Sequence, residues 1–170
     1  MDFDTLVRAR YSVRAYRPDP VPDSRLTQVL EAGLMAPTAA NRQPFRLLVV
    51  HTEGRREELQ RIYPRPWFVQ APLVIGVLGV PDEAWVRSDG KSYCSVDAAI
   101  VMDHLVLAAT HGGLGTCWVG AFDVQAAREV LGLPVEVEPI AFTPIGYPAD
   151  VPGPKSRRSL SDLVRYERWQ

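Results

Sequence analysis

Cysteine, histidine and lysine are all scarce in this chain of 170 residues. Its two cysteines, Cys94 and Cys117, belong to no CxxC pair, which excludes a zinc ribbon and a disulfide scaffold. None of the three histidines has the spacing of a metal ligand, and no GxSxG motif or acid–base pair is recognisable. If the chain is an enzyme, we therefore expect a cofactor to carry the reactive group.

Long apolar runs and a large net charge are also missing. The most apolar helical stretch, residues 98–110, contains Asp103 and His104 and is too short and too polar to cross a bilayer. The acidic N-terminus has no apolar core of a signal peptide, so we expect a cytoplasmic protein without membrane attachment. A formal net charge of -1 disfavours general binding of nucleic acid. Among the basic residues, 17 are arginines, which suit bidentate contact with phosphate or carboxylate.

Hydrophobic residues make up 46% of the chain, enough for one domain with its own core over residues 1–170. Apolar periodicity predicts helices over residues 2–9, 22–36, 54–63, 93–111 and 124–131, and strands over residues 46–51, 73–80, 116–119 and 138–146. The prolines of the last strand favour a position near a sheet edge. Because helices and strands follow one another without regular alternation, we expect an α+β fold with a mixed sheet.

Two segments carry apolar side chains that need a surface to pack against. The helix over residues 93–111 is apolar nearly all round, which is typical of a helix at the centre of a domain or at an interface. The tail, residues 155–170, follows a proline-rich connector and carries several large apolar side chains. Such a tail is expected to pack against something.

Arg10, Ser12 and Arg14 alternate along a segment that we expect to be extended, so they project from one face. Two guanidinium groups and a hydroxyl would converge there, a set that suits a phosphate monoester. A solvated basic strand also accounts for the spacing, and the spacing alone favours that interpretation. The basic run at residues 155–158 likewise fits either a solvated tail or a second wall of a phosphate site.

The loop PTAANRQP, residues 37–44, is made of small and polar residues that let the backbone approach a ligand closely. Asn41 and Gln43 each offer a donor and an acceptor, which suits the imide and carbonyl edge of a heterocycle. An ordinary polar turn explains this loop about as well. The glycines at positions 112, 113 and 115 form no dinucleotide-binding fingerprint, because they follow a helix and precede a strand.

Four blocks taken together resemble the FMN-dependent nitroreductase family in its short bacterial form. They are RYSVRAY (10–16), APTAANRQPF (36–45), GLGTCWVG (113–120) and the close KSRRSL with YERW (155–160 and 166–169), in the family's order. The resemblance implies a nitroreductase-like fold in an intertwined homodimer, with the C-terminal tail reaching the partner and two FMN sites at the interface. It also implies a ping-pong cycle, in which NAD(P)H reduces FMN before a nitroaromatic, a quinone or a similar small acceptor enters.

The resemblance assigns cofactor-binding roles to individual residues of this chain. The segment 10–14 would hold the phosphate, the ribityl chain and the pyrimidine end of the flavin, and the run 155–158 would close on the phosphate. Val119 and Gly120 would run beneath the ring, with a backbone N–H near its central nitrogen. Asn41 and Gln43 would address the polar edge, while residues 37–39 would reach the flavin of the other subunit. The implied site residues are Arg10, Tyr11, Ser12, Arg14, Pro37, Thr38, Ala39, Asn41, Gln43, Trp118, Val119, Gly120, Lys155, Arg157 and Arg158.

Two other functions stay open at this stage. A related flavoenzyme with reductive dehalogenase or flavin-destroying activity would share every FMN block. Those branches usually carry longer lid segments than the stretch between residues 81 and 92. A flavin-binding protein without turnover is the other alternative, because the chain is short and that stretch is modest.

Overall fold

The structure is a computed structural model that describes residues 1–169, in which six α-helices and four β-strands are found. The helices are α1 (Phe3–Ala9), α2 (Asp23–Leu34), α3 (Arg56–Ile62), α4 (Cys94–His111), α5 (Val124–Leu131) and α6 (Leu160–Leu163). The strands are β1 (Phe45–His51), β2 (Leu73–Gly79), β3 (Gly115–Thr116) and β4 (Glu138–Gly146). The five helices and three of the four strands predicted from periodicity lie where they were expected. The stretch 116–119 is shorter, with only β3 and an isolated bridge at Val119.

The four strands form one sheet in the order β1-β2-β4-β3. All three strand pairs are antiparallel. Within residues 1–169 the one parallel pairing is an isolated bridge between Ser12 and Thr116, which brings the N-terminal segment alongside β3. The predicted α+β class is confirmed, and the mixed character of the sheet rests on that bridge.

The last strand lies near an edge, as its prolines predicted, because β4 is separated from the edge of the sheet only by β3. Its prolines are tolerated since β3 is only two residues long. Phe142 exchanges both of its backbone hydrogen bonds with Val119. The backbone nitrogen of Pro144, two residues later, faces the same side of β4, where the ladder of hydrogen bonds towards β3 is interrupted. Pro139 lies beside a register shift in the pairing of β2 with β4.

Successive residues of the central strands pack against two helical layers, as the two-residue repeat of a strand requires. Ile75 of β2 belongs to the cluster that contains Val101 and Leu105 of α4. Its neighbour Val74 packs with Phe142 and Leu59 in a second cluster on the side of α3 and α5. The sheet is therefore covered on both faces, which leaves its ends for a site.

Helix α4 is the central element, as its sequence predicts. Val101, Leu105 and Ala109 are fully buried. A Cβ on Gly33 would lie 2.7 Å from Cδ2 of Leu105, so the glycine allows α2 to approach α4 closely. Within the described residues, no helix combines the length and the apolar character needed to span a membrane.

The C-terminal segment contrasts with this core, since residues 151–169 are all exposed. Leu160, Tyr166 and Trp169 each expose more than four-fifths of their surface. The short helix α6 is closed by a capping box between Ser159 and Asp162. The tail thus has local order but finds no apolar surface to cover it within its own chain.

Candidate active site

The N-terminal segment 10–17 lies along the sheet in extended conformation, as predicted. The amide of Val13 donates to the carbonyl of Thr116 (2.9 Å), and the amide of Arg17 donates to the carbonyl of Tyr147 (2.9 Å). Val13 is buried, whereas the side chain of Arg14 is exposed. Ser12 and Arg14 therefore share one face of the segment, as predicted, and Val13 between them faces inward.

Asp150 fixes this segment from the other end of the chain. Its Oδ2 accepts the backbone N–H of Arg14 (2.8 Å). The hydroxyl of Tyr11 donates to Oδ1 (3.1 Å) and to the backbone carbonyl of Asp150 (3.0 Å). Desolvation, and then the neighbouring Asp150, raise the pKa of Tyr11 above its usual value. Tyr11 is thus held as a neutral donor within the site.

Cations from the two ends of the chain meet beside this segment. The ammonium of Lys155 donates to the backbone carbonyls of Arg8 and Arg10. Desolvation and the charges of Arg10 and Arg157 hold the pKa of Lys155 below its usual value. Within residues 1–169, no carboxylate forms an ion pair with Arg10, Lys155 or Arg157. Three cations without a counter-charge form a surface that favours an anion.

The guanidinium group of Arg14 is oriented by a backbone carbonyl and an aromatic ring. Its Nη1 donates to the carbonyl of Ser12 (3.3 Å), and its guanidinium carbon lies 5.9 Å from the ring centroid of Trp67. It also lies near Cys117, whose side chain is buried. Burial raises the pKa of that thiol, while Arg14 and the hydroxyl of Ser12 oppose the shift. A protonated, buried thiol suits packing rather than nucleophilic chemistry.

Residues 118–120 continue from β3 towards the surface. Val119 is buried and exchanges backbone hydrogen bonds of 2.8 and 3.0 Å with Phe142. Trp118 and Gly120 on either side of it are exposed. Of the predicted site residues, the structure thus brings the segment 10–14, Lys155 and Arg157 together, with Cys117 leading to residues 118–120. Arg158 is exposed in the same basic run.

The loop 37–43 is a tightly bonded turn. Oγ1 of Thr38 accepts the amide of Gln43 (3.1 Å), and Nε2 of Gln43 donates to the carbonyl of Asn41 (3.1 Å). Ala40, Asn41 and Gln43 have φ of 52°, 53° and 53°, in the left-handed region. Such conformations are costly for residues other than glycine and persist when the surroundings impose them.

One buried carboxylate supplies a long-range support for this loop. Asp97, in the first turn of α4, is 1% exposed, and its Oδ1 accepts the amide of Ala39 (2.9 Å). Its Oδ2 is buried and has no hydrogen-bond partner in the described part of the chain. A lone acidic residue on an otherwise apolar helix face is the sequence signal that could have identified it. Neither Asp97 nor Asp150 was among the site residues predicted from the sequence.

The register of the sheet separates the loop from the basic segment. The loop leads into Phe45, which pairs with Gly79 at one end of the sheet. Ser12 pairs with Thr116. Thr116 lies in a row of paired residues that runs across the sheet through Ile145 and Leu73 to His51, at the opposite end of β1. Six residues of extended strand separate these rows by about 20 Å. Within one chain, the structure therefore does not bring Asn41 and Gln43 to the basic segment.

Comparison with known proteins agrees with this fold. The sequence profile of the Nitroreductase family matches residues 7–74 and 63–147. A nitroreductase family protein from Clostridium difficile 630 has a similar structure, with a TM-score of 0.91 and 37% sequence identity over 99% of this chain and 100% of that one.

Two curated relatives extend the comparison. An "NADH dehydrogenase" from Thermus thermophilus is 30% identical, over 96% of this chain and 95% of its own length. An "NADPH-dependent oxidoreductase" from Staphylococcus aureus is 27% identical over 85% of this chain and 64% of its own length. These matches confirm the resemblance on which the sequence predictions rested. The chain belongs to the nitroreductase family.

Proposed function

We propose that this chain is an FMN-dependent NAD(P)H oxidoreductase that works by a ping-pong cycle on nitroaromatic, quinone or similar small acceptors. The observation that carries the proposal is the unpaired group of cations Arg10, Lys155 and Arg157, in a chain of the nitroreductase family. The two relatives named above use NADH and NADPH by their names, which supports a nicotinamide reductant.

The donors present fit the phosphate of FMN. A phosphate monoester carries about two negative charges at neutral pH and needs several strong donors. The cations would supply the charge, and the half-buried hydroxyl of Ser12 lies beside them on the same segment. Because Lys155 already donates to two carbonyls, we assign the direct forked contact with phosphate to Arg10 and Arg157.

Arg14 suits the other end of the cofactor. Its amide is held by Asp150 and its guanidinium lies near Trp67, so the cation is oriented without being neutralised. A fixed positive charge stabilises negative charge that develops nearby. When bound, FMN supplies the hydride chemistry, accepting two electrons and a proton from NAD(P)H and passing them to an acceptor in a separate half-reaction. The chain's own part is to bind, to orient and to stabilise charge.

The separation of the loop 37–43 from the basic segment favours a site shared by two copies. A loop about 20 Å away along the strands can complete the pocket only of another chain. The exposed apolar tail has the same requirement, since Leu160, Tyr166 and Trp169 need a surface to cover. We therefore propose a homodimer in which one single-domain chain contributes the basic segment and its partner contributes the loop. A cytoplasmic location is part of the same proposal.

Spectroscopy of the purified protein tests the proposal directly. We expect a yellow protein with FMN absorbance that bleaches when NADPH or NADH is added without oxygen. Initial rates measured against NAD(P)H concentration, at several fixed acceptor concentrations, should give parallel double-reciprocal lines. A colourless protein that does not bind added FMN would disprove the proposal. A panel of nitro, quinone and halogenated compounds then separates nitroreductase activity from reductive dehalogenation, and absence of turnover with every acceptor would leave a flavin-binding protein.

A further inference from the structure

We propose that Asp150 is the positioning residue of the phosphate wall: it aligns the segment 10–14 with the C-terminal cations while leaving their side chains free for an anion. This inference rests on the proposed FMN site, but it concerns a residue outside the motifs that define the family resemblance.

Both oxygens of the Asp150 carboxylate are used on the N-terminal segment. Oδ2 accepts the amide of Arg14 at 2.8 Å, and Oδ1 accepts the hydroxyl of Tyr11 at 3.1 Å. Adjacent backbone bonds continue the contact, because the amide of Ala149 donates to the carbonyl of Ala15 at 2.8 Å. Residues 11 and 14 are thus tied to one point, on either side of the buried Val13.

The same point is where the C-terminal segment leaves the fold. Only residues 151–154 separate Asp150 from Lys155, whose ammonium returns to the carbonyls of Arg8 and Arg10. A short loop of contacts thus runs from Arg10 along the chain to Arg14, across to Asp150, and on to Lys155, which bonds back to Arg10. The position of Lys155 relative to Arg10 depends on both anchors of this path, since residues 151–154 are exposed.

The chemistry of the contacts explains why a carboxylate here does not cancel the site. Asp150 accepts from a backbone amide and a phenol, and its carboxylate forms no ion pair with Arg14 within the described residues. Its negative charge still lies near the cations and should oppose an incoming phosphate slightly. Position and charge can therefore be separated by substitution. Asparagine keeps an acceptor for the Arg14 amide, and the backbone carbonyl of residue 150 still accepts from Tyr11.

The experiment measures dissociation constants of flavin-free protein for FMN and for riboflavin, which lacks the phosphate. Wild type is compared with Asp150→Ala, Asp150→Asn and the control Asp123→Ala. Asp123 also accepts a backbone amide, that of Ala126 at 2.9 Å, but it caps α5 instead. Quenching of flavin fluorescence reports binding, and urea unfolding confirms that each variant folds.

We expect Asp150→Ala to weaken FMN binding about tenfold, as the loss of one well-placed charged hydrogen bond does, and riboflavin binding by only about threefold, because the Arg14 end of the site is loosened as well. Asp150→Asn should bind FMN within about threefold of wild type or slightly more tightly, and Asp123→Ala should behave as wild type. Equal losses for both flavins, no loss in Asp150→Ala, or an Asp150→Asn as weak as Asp150→Ala would overturn the inference. Failure of wild type to bind either flavin would instead disprove the proposed function.

Discussion

The two walls of the proposed site are built in different ways. The basic wall, comprising residues 10–14 with Lys155 and Arg157, is assembled from the two ends of the chain by contacts across more than 130 residues, such as Arg14 with Asp150. The loop wall, residues 37–43, is bonded mostly to itself and has one distant support, Asp97. The first wall has charge that lacks a counter-ion, and the second has backbone strain.

The two walls are therefore disrupted by different changes. The basic wall depends on the whole fold, because its cations converge only when β4 and the connector after it lie beside the N-terminal segment. The loop wall depends on a local conformation with three left-handed residues, which one buried carboxylate helps to impose. The walls lie about 20 Å apart along the sheet, so we expect each to serve a different copy's pocket.

Mixing two damaged variants tests whether the walls belong to different subunits. One variant, Arg10→Ala, damages the basic wall, and the other, Asn41→Asp with Gln43→Glu, places two carboxylates in the loop wall. Each homodimer should lose at least about tenfold in activity. After subunit exchange of a 1:1 mixture, about a quarter of the pockets are intact in a shared-site dimer, so activity should return to about a quarter of wild type.

The control for this mixing experiment is a pair of variants of the same wall. Arg10→Ala mixed with Arg157→Ala should recover no activity, because every shared pocket keeps one damaged cation in its basic wall. Recovery in this control, or none in the cross-wall mixture despite exchange shown by native mass spectrometry, contradicts the shared site. A protein that stays monomeric at micromolar concentration would contradict it as well.

Arg10→Ala alone measures the strength of the basic wall. Loss of a charge-assisted hydrogen bond to phosphate should weaken FMN binding by about 2 kcal/mol, which is about 30-fold in the dissociation constant. Arg61→Ala is the matched control, since Arg61 forms an exposed ion pair with Glu129 and such pairs contribute little. Isothermal titration with FMN checks both. An unchanged affinity in Arg10→Ala would show that Arg10 does not contribute to the basic wall.

The sequence was sufficient for the elements whose pattern is local. The helix apolar nearly all round became α4, and the extended segment with Arg10, Ser12 and Arg14 was found as expected. The prolines of β4 correctly predicted a position near the sheet edge, but they did not predict the short strand outside it. The neighbour β3 has two residues, and that length depends on where the chain after Gly115 turns, which periodicity does not encode.

The supports of the site were less predictable than the site itself. Asp97 and Asp150 are isolated acidic residues in the sequence, and their partners are 58 and 136 residues away. Contacts at such separation follow from the packed fold rather than from local pattern. The distance between the two walls has the same origin, since it depends on the pairing of β1, β2 and β4.

Asp97→Ala is expected to affect the loop wall and to leave the basic wall intact. The amide of Ala39 would lose its acceptor, which should lower the free energy of unfolding by about 1–2 kcal/mol. The loop would address the flavin less precisely, so FMN affinity should fall by about threefold, well short of the loss expected for Arg10→Ala. Asp97→Asn keeps an acceptor and should show smaller changes in both quantities. Loss of FMN affinity comparable to that of Arg10→Ala would show that the two walls are not separable.

The smallest effect we predict concerns the strain stored in the loop. Ala40 has φ of 52° and ψ of 24°, a conformation that glycine adopts without steric cost. Relief of that cost, reduced by the greater entropy of an unfolded glycine, should make Ala40→Gly more stable by about 0.5 kcal/mol in urea unfolding. Ala32→Gly, within α2, should instead be less stable by about 1 kcal/mol. If both glycines destabilise the protein alike, Ala40 is not strained, and the support from Asp97 serves only to anchor the loop.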